Sequence, residues 1–523
     1  MHHTLKNHHH ERNSFPPFPS QSYHHFCRKY SLKNFTDKTT MTISDTGNPA
    51  HVLVFPYPAQ GHMIPLLDLT HQLAARGLAI TILVTPKNLH LLNPLLSRHP
   101  SIKTLVLPFP SHSRIPNGVE NSKDLPADYA VTMIHTLGEL YSPLLKWFRN
   151  HPSPPVAIIS DMFLGWTNKL ATELNIRRLV FSPSGAKALS IIYYLWREMP
   201  KLQNVDDPAE VFTLQKIPNA PKFPLWQISP IYRSYVEGDP VSEFIKEGFL
   251  ADVGSWGLVV NSFSDLERVY LDHLVEEMGC ERVWAVGPLL PPDDDSSGPT
   301  ERGGSSSVSV DDVLSWLDRC HDRKVVYVCF GSQAVLTNQQ MEELALGLDK
   351  SQVNFIWSVK GITKGHVEGI YGTIPPGFED RVAGRGFIIR GWASQVSILS
   401  HRAVGAFLTH CGWNSVIEGL VSGVVMLAWP MRADQFANAE LLVDELKVGI
   451  RVCEGAQTVP NSSELAKAVA ESVGENRVMR ERAMELSKAA FEAIKGGGSA
   501  KDLDGLVKHV SGLEVMKIRS MET

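Results

Sequence analysis

The chain has 523 residues and a mass of 58.0 kDa, too many for a single core; at roughly 150 residues per domain, about three domains or two large α/β domains fit. Its composition of 43% hydrophobic, 20% charged and 8% aromatic residues is that of a globular protein and excludes wholesale disorder. A net charge of -5 with a pI near 6.5 excludes a basic footprint for nucleic acid, and no apolar run approaches the roughly 18 residues that span a bilayer.

In chain order, the first 40 residues are rich in His and basic residues, with Glu11 and Asp37 as the acids. We expect residues 1–48 to form a disordered extension. Such a start reads either as an organelle transit peptide or as an extension ahead of a working start at Met41. The lack of an amphipathic helix favours the second reading. From His51 short β-branched runs alternate with amphipathic stretches: a strand at 51–55, a helix at 64–76 with Pro65 near its start and Gly77 past its end, and a strand at 79–84. Further strands are expected at 104–108, 156–160, 178–182, 257–262 and 283–286. Strands alternating with helices predict a parallel, doubly wound sheet.

Residues 288–311, rich in Pro, Gly, Ser and Asp, read as a linker. The triple acid Asp293-Asp294-Asp295 lies inside it; with no strand before it to hold carboxylates in octahedral geometry, it reads as solvated chain rather than a metal site. A second alternating series follows, with strands near 325–330, 354–359, 386–390, 404–408, 424–428 and 449–453. Neither half carries Gly-x-Gly-x-x-Gly after its first strand, so no nicotinamide or flavin is expected. The six cysteines, Cys27, Cys280, Cys320, Cys329, Cys411 and Cys453, show neither Cys-x-x-Cys nor zinc spacing. We expect reduced thiols in a soluble, cytoplasmic protein.

Two stretches carry chemistry. In the second half, the strand 404–408 runs into Thr409-His410-Cys411-Gly412, a tight Gly turn, and Asn414-Ser415 open a helix to about Val421. A helix start of this kind presents free N–H groups and the positive end of its dipole to an anion such as a diphosphate. His410, Asn414 and Ser415 add donors around it, and Trp392, after the strand 386–390, offers a flat indole at the sheet edge where ligands bind. Each residue alone is explained as core or helix cap; the order and spacing of all of them are not.

The 44 residues from Trp392 to Gln435 resemble the secondary-product glycosyltransferase box of the plant family 1 UDP-dependent glycosyltransferases. That resemblance implies that Trp392 stacks on uracil, Ala393 and Gln395 meet the base and ribose, and Glu418 holds the ribose hydroxyls. It also implies that His410, Asn414 and Ser415 bind the diphosphate, with Ser332 of Phe330-Gly331-Ser332 as a further contact, and that Trp413, Asp434 and Gln435 read the sugar. Gln435 goes with glucose donors in that family, where His goes with galactose. Ser394 and Val425 stand where the family more often has proline, which alters loop stiffness rather than chemistry.

In the first half, Pro56-Tyr-Pro-Ala-Gln-Gly-His62 lies between a strand and a helix, and Asp161 follows the strand 156–160 at the same sheet edge. A chain with 21 His has many without function, but the resemblance makes His62 the general base and Asp161 the carboxylate that orients it. A phenol or alcohol needs such a base to attack an anomeric carbon near neutral pH. The family's fold is two facing Rossmann-like domains of the GT-B type, each with a mainly parallel sheet: an acceptor domain at 49–287, the linker, a UDP-sugar domain at 312–498, and a segment 499–523 that packs back on the first domain. The expected reaction is inverting transfer from a UDP-sugar co-substrate, without metal or other cofactor, to a small phenolic acceptor, by a monomer. The stretches 51–68 and 160–166 look most like the subgroup acting on flavonols and hydroxybenzoates. Phe163, Trp166, Tyr193, Tyr194 and Trp196 serve either as acceptor walls or as core. The rival readings, a UDP-sugar epimerase or a non-catalytic UDP-sugar-binding protein, have no use for an intact His62 and Asp161.

Overall fold

A computed structural model describes residues 49–200, 207, 209–291, 306–362, 370–474 and 477–513. The extension 1–48, the acidic run Asp293 to Asp295 with most of the expected linker, and the end of the chain from 514 lie outside the described residues.

The first half is built on a parallel sheet of seven strands: β1 (His51–Phe55), β2 (Ala79–Val84), β3 (Lys103–Val106), β4 (Ala157–Asp161), β5 (Arg177–Ser182), β8 (Gly257–Val260) and β9 (Val283–Ala285), in the order β3-β2-β1-β4-β5-β8-β9. A small antiparallel pair, β6 (Val211–Thr213) with β7 (Lys222–Pro224), lies in an excursion between β5 and β8. The second half holds six parallel strands: β10 (Val325–Cys329), β11 (Asn354–Val359), β12 (Gly386–Arg390), β13 (Val404–Thr409), β14 (Val425–Ala428) and β15 (Gly449–Arg451). Their order is β12-β11-β10-β13-β14-β15. The near-continuous apolar strands, buried on both faces, are what a parallel sheet covered by helices requires. In both sheets the order reverses between the first strand and the fourth, and the crevice outside the carboxyl ends at that reversal is where such folds bind ligands.

One apolar cluster is shared by the two halves, joining Leu53, Phe55 and Val260 of the first to Tyr327, Phe407 and Trp413 of the second. The helix Gly498–Ser511 returns to the first half: Leu503, Leu506, Val507 and Val510 are buried with Val52, Val54 and Trp284, and Asp502 Oδ2 accepts from the backbone N–H of Ala285 at 2.8 Å.

Two local expectations change. The first helix spans Gln60–Ala75 rather than 64–76, because Ala59 is an extended N-cap and the chain turns helical straight after it. Pro65 therefore sits inside the helix rather than in its first turn. In the second half the turn before the helix Trp413–Val421 is not made by its glycine. Cys411 takes the left-handed conformation (φ 62) while Gly412 is an extended N-cap. A cysteine there costs on the order of 1 kcal/mol, and bonds to Thr409 Oγ1 (3.2 Å) and from Asn438 Nδ2 (3.0 Å) hold it.

Candidate active site

β1 and β4 flank the reversal of the first sheet; His62, in the first turn of the helix that follows β1, and Asp161, the last residue of β4, come together there, with His62 Nδ1 2.8 Å from Asp161 Oδ2. The Asp161 side chain is 0% exposed and that of His62 20%, so the carboxylate is withdrawn from water while the imidazole reaches it. Asp161 Oδ1 accepts from the backbone N–H of Phe163 at 2.9 Å. A carboxylate only accepts, so Nδ1 carries the hydrogen and Nε2 presents a lone pair. Aromatic rings hold the imidazole in place: Phe163 at 4.7 Å and Tyr57 at 5.1 Å between centroids. Behind Asp161, the buried Arg178 donates to Ser160 Oγ (3.0 Å) and Asp161 O (3.3 Å) while pairing with the buried Asp252 at 2.5 Å. Nothing in the sequence near His62 or Asp161 announced that support.

The second sheet has its own reversal between β10 and β13, and there Ser332 and His410 lie on neighbouring loops. The His410 ring is held between glycines: a Cβ added at Gly331 or Gly412 would fall 2.6 or 2.5 Å from it. Its Nδ1 is buried and makes no hydrogen bond, and burial, with Arg432 adding to the effect, pushes its pKa down to about 4. The ring is thus neutral near pH 7. Because the folded pKa lies below the unfolded one, stability is full above about pH 6.5 and is lost as the pH falls toward 4. Between pH 7 and 5, the unaltered protein is expected to lose about 1–2 kcal/mol more stability than His410→Gln, read from urea midpoints at the two pH values.

Gln395 opens the short helix Gln395–Leu399 behind Trp392, and its Nε2 donates to Ser415 Oγ (3.1 Å) and Glu418 Oε2 (2.7 Å). Ser415 and Glu418 are buried at 6% and 7% exposure, and the Ser415 hydroxyl keeps its own hydrogen for another acceptor. Ala393 is buried and Trp392 half-buried; the carbonyl of Trp392 accepts from Ser307 N at 3.0 Å. Gln435 Oε1 is spent on the backbone N–H groups of Met431 (2.9 Å) and Arg432 (3.1 Å), leaving its NH2 group. Asp434 Oδ2 accepts from Asn438 Nδ2 (3.1 Å) and, across the cleft, from Ser184 Oγ (3.0 Å). Burial raises the Asp434 pKa, and the hydrogen bonds from Asn438 and Ser184 oppose that rise; the bond from Ser184 is where the two halves meet here.

The Trp413 indole does not line an open cleft. It is 3% exposed and donates to Asn261 O of the first half at 2.7 Å, with Gly185 close against its ring. What it leaves for a ligand is the free backbone N–H of the helix's first residue. Trp166, Tyr193 and Trp196 are likewise core, Trp196 stacking on Phe249 at 5.2 Å, whereas Phe163 and Tyr194 stay partly exposed.

Sequence reasoning passed over Lys360 and Arg432. Lys360 closes β11 at a sheet edge and donates to the Ser332 carbonyl; burial pushes its ammonium down to about 8, against the pull of Asp124. Burial also lowers the Arg432 guanidinium, against the pull of Asp128. Lys360 follows a strand's carboxyl end, the signal that singled out Asp161. Among the described residues, no group of three or more His, Cys, Asp or Glu could hold a metal ion, and no helix is long and apolar enough to cross a membrane.

Two facing Rossmann-like halves, with a His–Asp pair at one switch point and a helix N-terminus at the other, define a glycosyltransferase of the GT-B type. Residues 311–492 match the family model described as UDP-glucoronosyl and UDP-glucosyl transferase. UDP-glycosyltransferase 89B2 of Stevia rebaudiana is 62% identical over 474 residues, covering 90% of this chain and 100% of that protein. Flavonol 3-O-glucosyltransferase UGT89B1 of Arabidopsis thaliana is 58% identical, covering 89% and 97%. The solved structure of Arabidopsis thaliana UGT89C1 complexed with UDP-L-rhamnose superposes with a TM-score of 0.74 at 41% identity, covering 89% and 100%. The chain belongs to the plant UDP-glycosyltransferase family, and it transfers a sugar from a UDP-sugar to a small plant metabolite. Neither an epimerase nor a non-catalytic sugar-binding protein fits that membership.

Proposed function

We propose that this enzyme is an inverting glucosyltransferase acting on the hydroxyl or carboxyl of a flavonol, hydroxybenzoate or similar phenolic, with His62 as the general base and Asp161 as its orienting carboxylate. The observation that carries the reading is the 2.8 Å bond from His62 Nδ1 to the buried Asp161, which leaves Nε2 free to take a proton. As the acceptor oxygen attacks the anomeric carbon, its proton passes to Nε2 and the bond to UDP breaks. Asp161 stabilises the imidazolium that forms. Attack from the face opposite UDP turns an α-linked donor into a β-glycoside.

In this reading residues 49–287 bind the acceptor and 312–498 the donor. Trp392 stacks on uracil beside Ala393, and Gln395 and Glu418 take the base and ribose. The N-terminus of the helix Trp413–Val421, with Ser332, His410, Asn414 and Ser415, carries the diphosphate charge, so that no metal is required. Trp413 contributes through its backbone, while Asp434 and the NH2 group of Gln435 take the sugar hydroxyls. The protein works as a cytoplasmic monomer. Trp392→Ala is expected to weaken UDP and UDP-sugar alike by about 1–3 kcal/mol, the scale of base–aromatic stacking, and calorimetry with UDP measures it.

The sugar follows from Asp434 and Gln435. With its carbonyl held by the 431–432 backbone, Gln435 can only donate, so an inverted hydroxyl leaves a buried group unpaired at about 1–3 kcal/mol. The name of the Arabidopsis relative at 58% identity, a flavonol 3-O-glucosyltransferase, supports the same choice. In competition assays with a flavonol acceptor, UDP-glucose is expected to beat UDP-galactose by roughly tenfold or more, and EDTA to leave the rate unchanged. A preference for UDP-galactose, UDP-xylose or UDP-rhamnose would overturn the glucose assignment.

A further inference from the structure

Pro65 lies inside the helix Gln60–Ala75. Proline has no N–H, so the carbonyl four residues earlier, that of Gly61, receives no helical hydrogen bond. The structure supplies a partner from the other half of the molecule: Asn414 Nδ2 donates to Gly61 O at 3.0 Å. Gly61 immediately precedes His62, and Asn414 is the second residue of the helix Trp413–Val421. A carbonyl oxygen can be met only by the NH2 side of the amide, so this bond also sets which way the Asn414 carboxamide points. Other bonds cross between the halves nearby, among them Trp413 Nε1 to Asn261 O at 2.7 Å, Ser184 Oγ to Asp434 Oδ2 at 3.0 Å and Gln333 Nε2 to Ser122 Oγ at 3.0 Å, the N–H of Ser122 in turn reaching Pro58 O at 2.9 Å. None of these ends on the first turn of the helix Gln60–Ala75, which carries His62.

We propose that Asn414 is a positioning residue: by occupying the carbonyl that Pro65 leaves free, it fixes the base-bearing turn of the acceptor half to the diphosphate-binding helix of the donor half. The inference rests on reading His62 as the base, and it gives Asn414 a role in rate rather than in donor affinity alone. In-line transfer needs the acceptor oxygen, the anomeric carbon and the leaving UDP oxygen in one line across two domains, with the base within reach of the acceptor's proton. A bond one residue from the base and at the mouth of the leaving-group cradle sets that spacing directly. A residue with an N–H at position 65 would claim Gly61 O within the helix and weaken the link.

The test is a double-mutant cycle on the full-length enzyme with Asn414→Ala, Pro65→Ala and the double variant, joined by Asn414→Asp, which keeps the size but has no N–H for the carbonyl. Displacements of this kind cost up to about a hundredfold in rate. Asn414→Ala is therefore expected to lower kcat at saturating UDP-sugar by roughly ten- to a hundred-fold, over and above the loss of UDP affinity, read by calorimetry, that goes with its diphosphate contact. Asn414→Asp is expected to be at least as slow. In the Pro65→Ala background, where the restored N–H takes Gly61 O, removing Asn414 is expected to cost less than about threefold.

A tenfold or greater loss of UDP affinity with kcat unchanged would overturn the proposal, leaving Asn414 as a diphosphate contact. So would equal kcat losses in the two backgrounds, or an Asn414→Asp enzyme as fast as the unaltered one. None of these outcomes bears on His62, whose assignment as base fails separately if His62→Ala keeps its activity.

Discussion

Replacing His62 by alanine is expected to lower kcat by about two to four orders of magnitude, the usual contribution of a general base, while UDP binds nearly as before. The expectation comes from where the imidazole sits: in the first turn of the helix after β1, hydrogen-bonded through Nδ1 to a carboxylate with no exposure, and itself 20% exposed. Its ring packs on Tyr57 and Phe163 and hydrogen-bonds Asp161, none of them a residue proposed to bind uracil or diphosphate, so the substitution is expected to leave UDP affinity nearly unchanged. Steady-state rates with a flavonol acceptor, beside calorimetry with UDP, separate the two effects. A rate within about tenfold of the unaltered enzyme would remove the mechanism.

Asp161→Asn is expected to be as damaging, with kcat falling by about two to four orders of magnitude. From the sequence alone this exchange looks milder than or comparable to loss of the His, since an amide still hydrogen-bonds an imidazole. The structure removes the milder option. Asp161 accepts two bonds at once, from Phe163 N at Oδ1 (2.9 Å) and from His62 Nδ1 at Oδ2 (2.8 Å). An asparagine has one acceptor oxygen. The backbone N–H of Phe163 cannot become an acceptor, so it claims that oxygen, and the NH2 group turns toward His62. The imidazole answers by accepting at Nδ1 and carrying its hydrogen on Nε2, the tautomer that cannot take a proton from the acceptor hydroxyl. The pH–rate profile tests this beyond the loss itself: the base limb of kcat should be displaced or lost, whereas a variant matching the unaltered enzyme across neutral pH would break the pairing.

Much of the architecture was legible because its signals are local. Short β-branched runs alternating with amphipathic stretches marked every strand of the two large sheets to within a residue or two. Strand–turn–helix order placed His410 on the turn and the helix expected from Asn414 within a residue of its start at Trp413. The exceptions were also local in kind but depended on neighbours: Pro65 looked like a first-turn proline, and Gly412 like the left-handed residue of its turn. A side chain from the other half meets the carbonyl left by the first, and Asn438 and Thr409 tolerate Cys411 in place of the second.

Sequence by itself thus determined which elements form, the order in which they alternate, and the set of residue types delivered to the carboxyl ends of the strands, since each depends on periodicity and turn chemistry over a few neighbouring positions. Only the tertiary structure decided which of those residues face one another. The bonds that define the site join positions 99, 152 and 353 residues apart: His62 with Asp161, Asn261 with Trp413, and Gly61 with Asn414. Pairings of that span are set by how two sheets are wound and brought face to face, and no window of sequence contains both partners. That is why the Trp413 indole, expected to read a sugar, instead fastens the two halves. It is also why the single acceptor oxygen of an amide at position 161 can be assigned a direction only once Phe163 and His62 are seen around it.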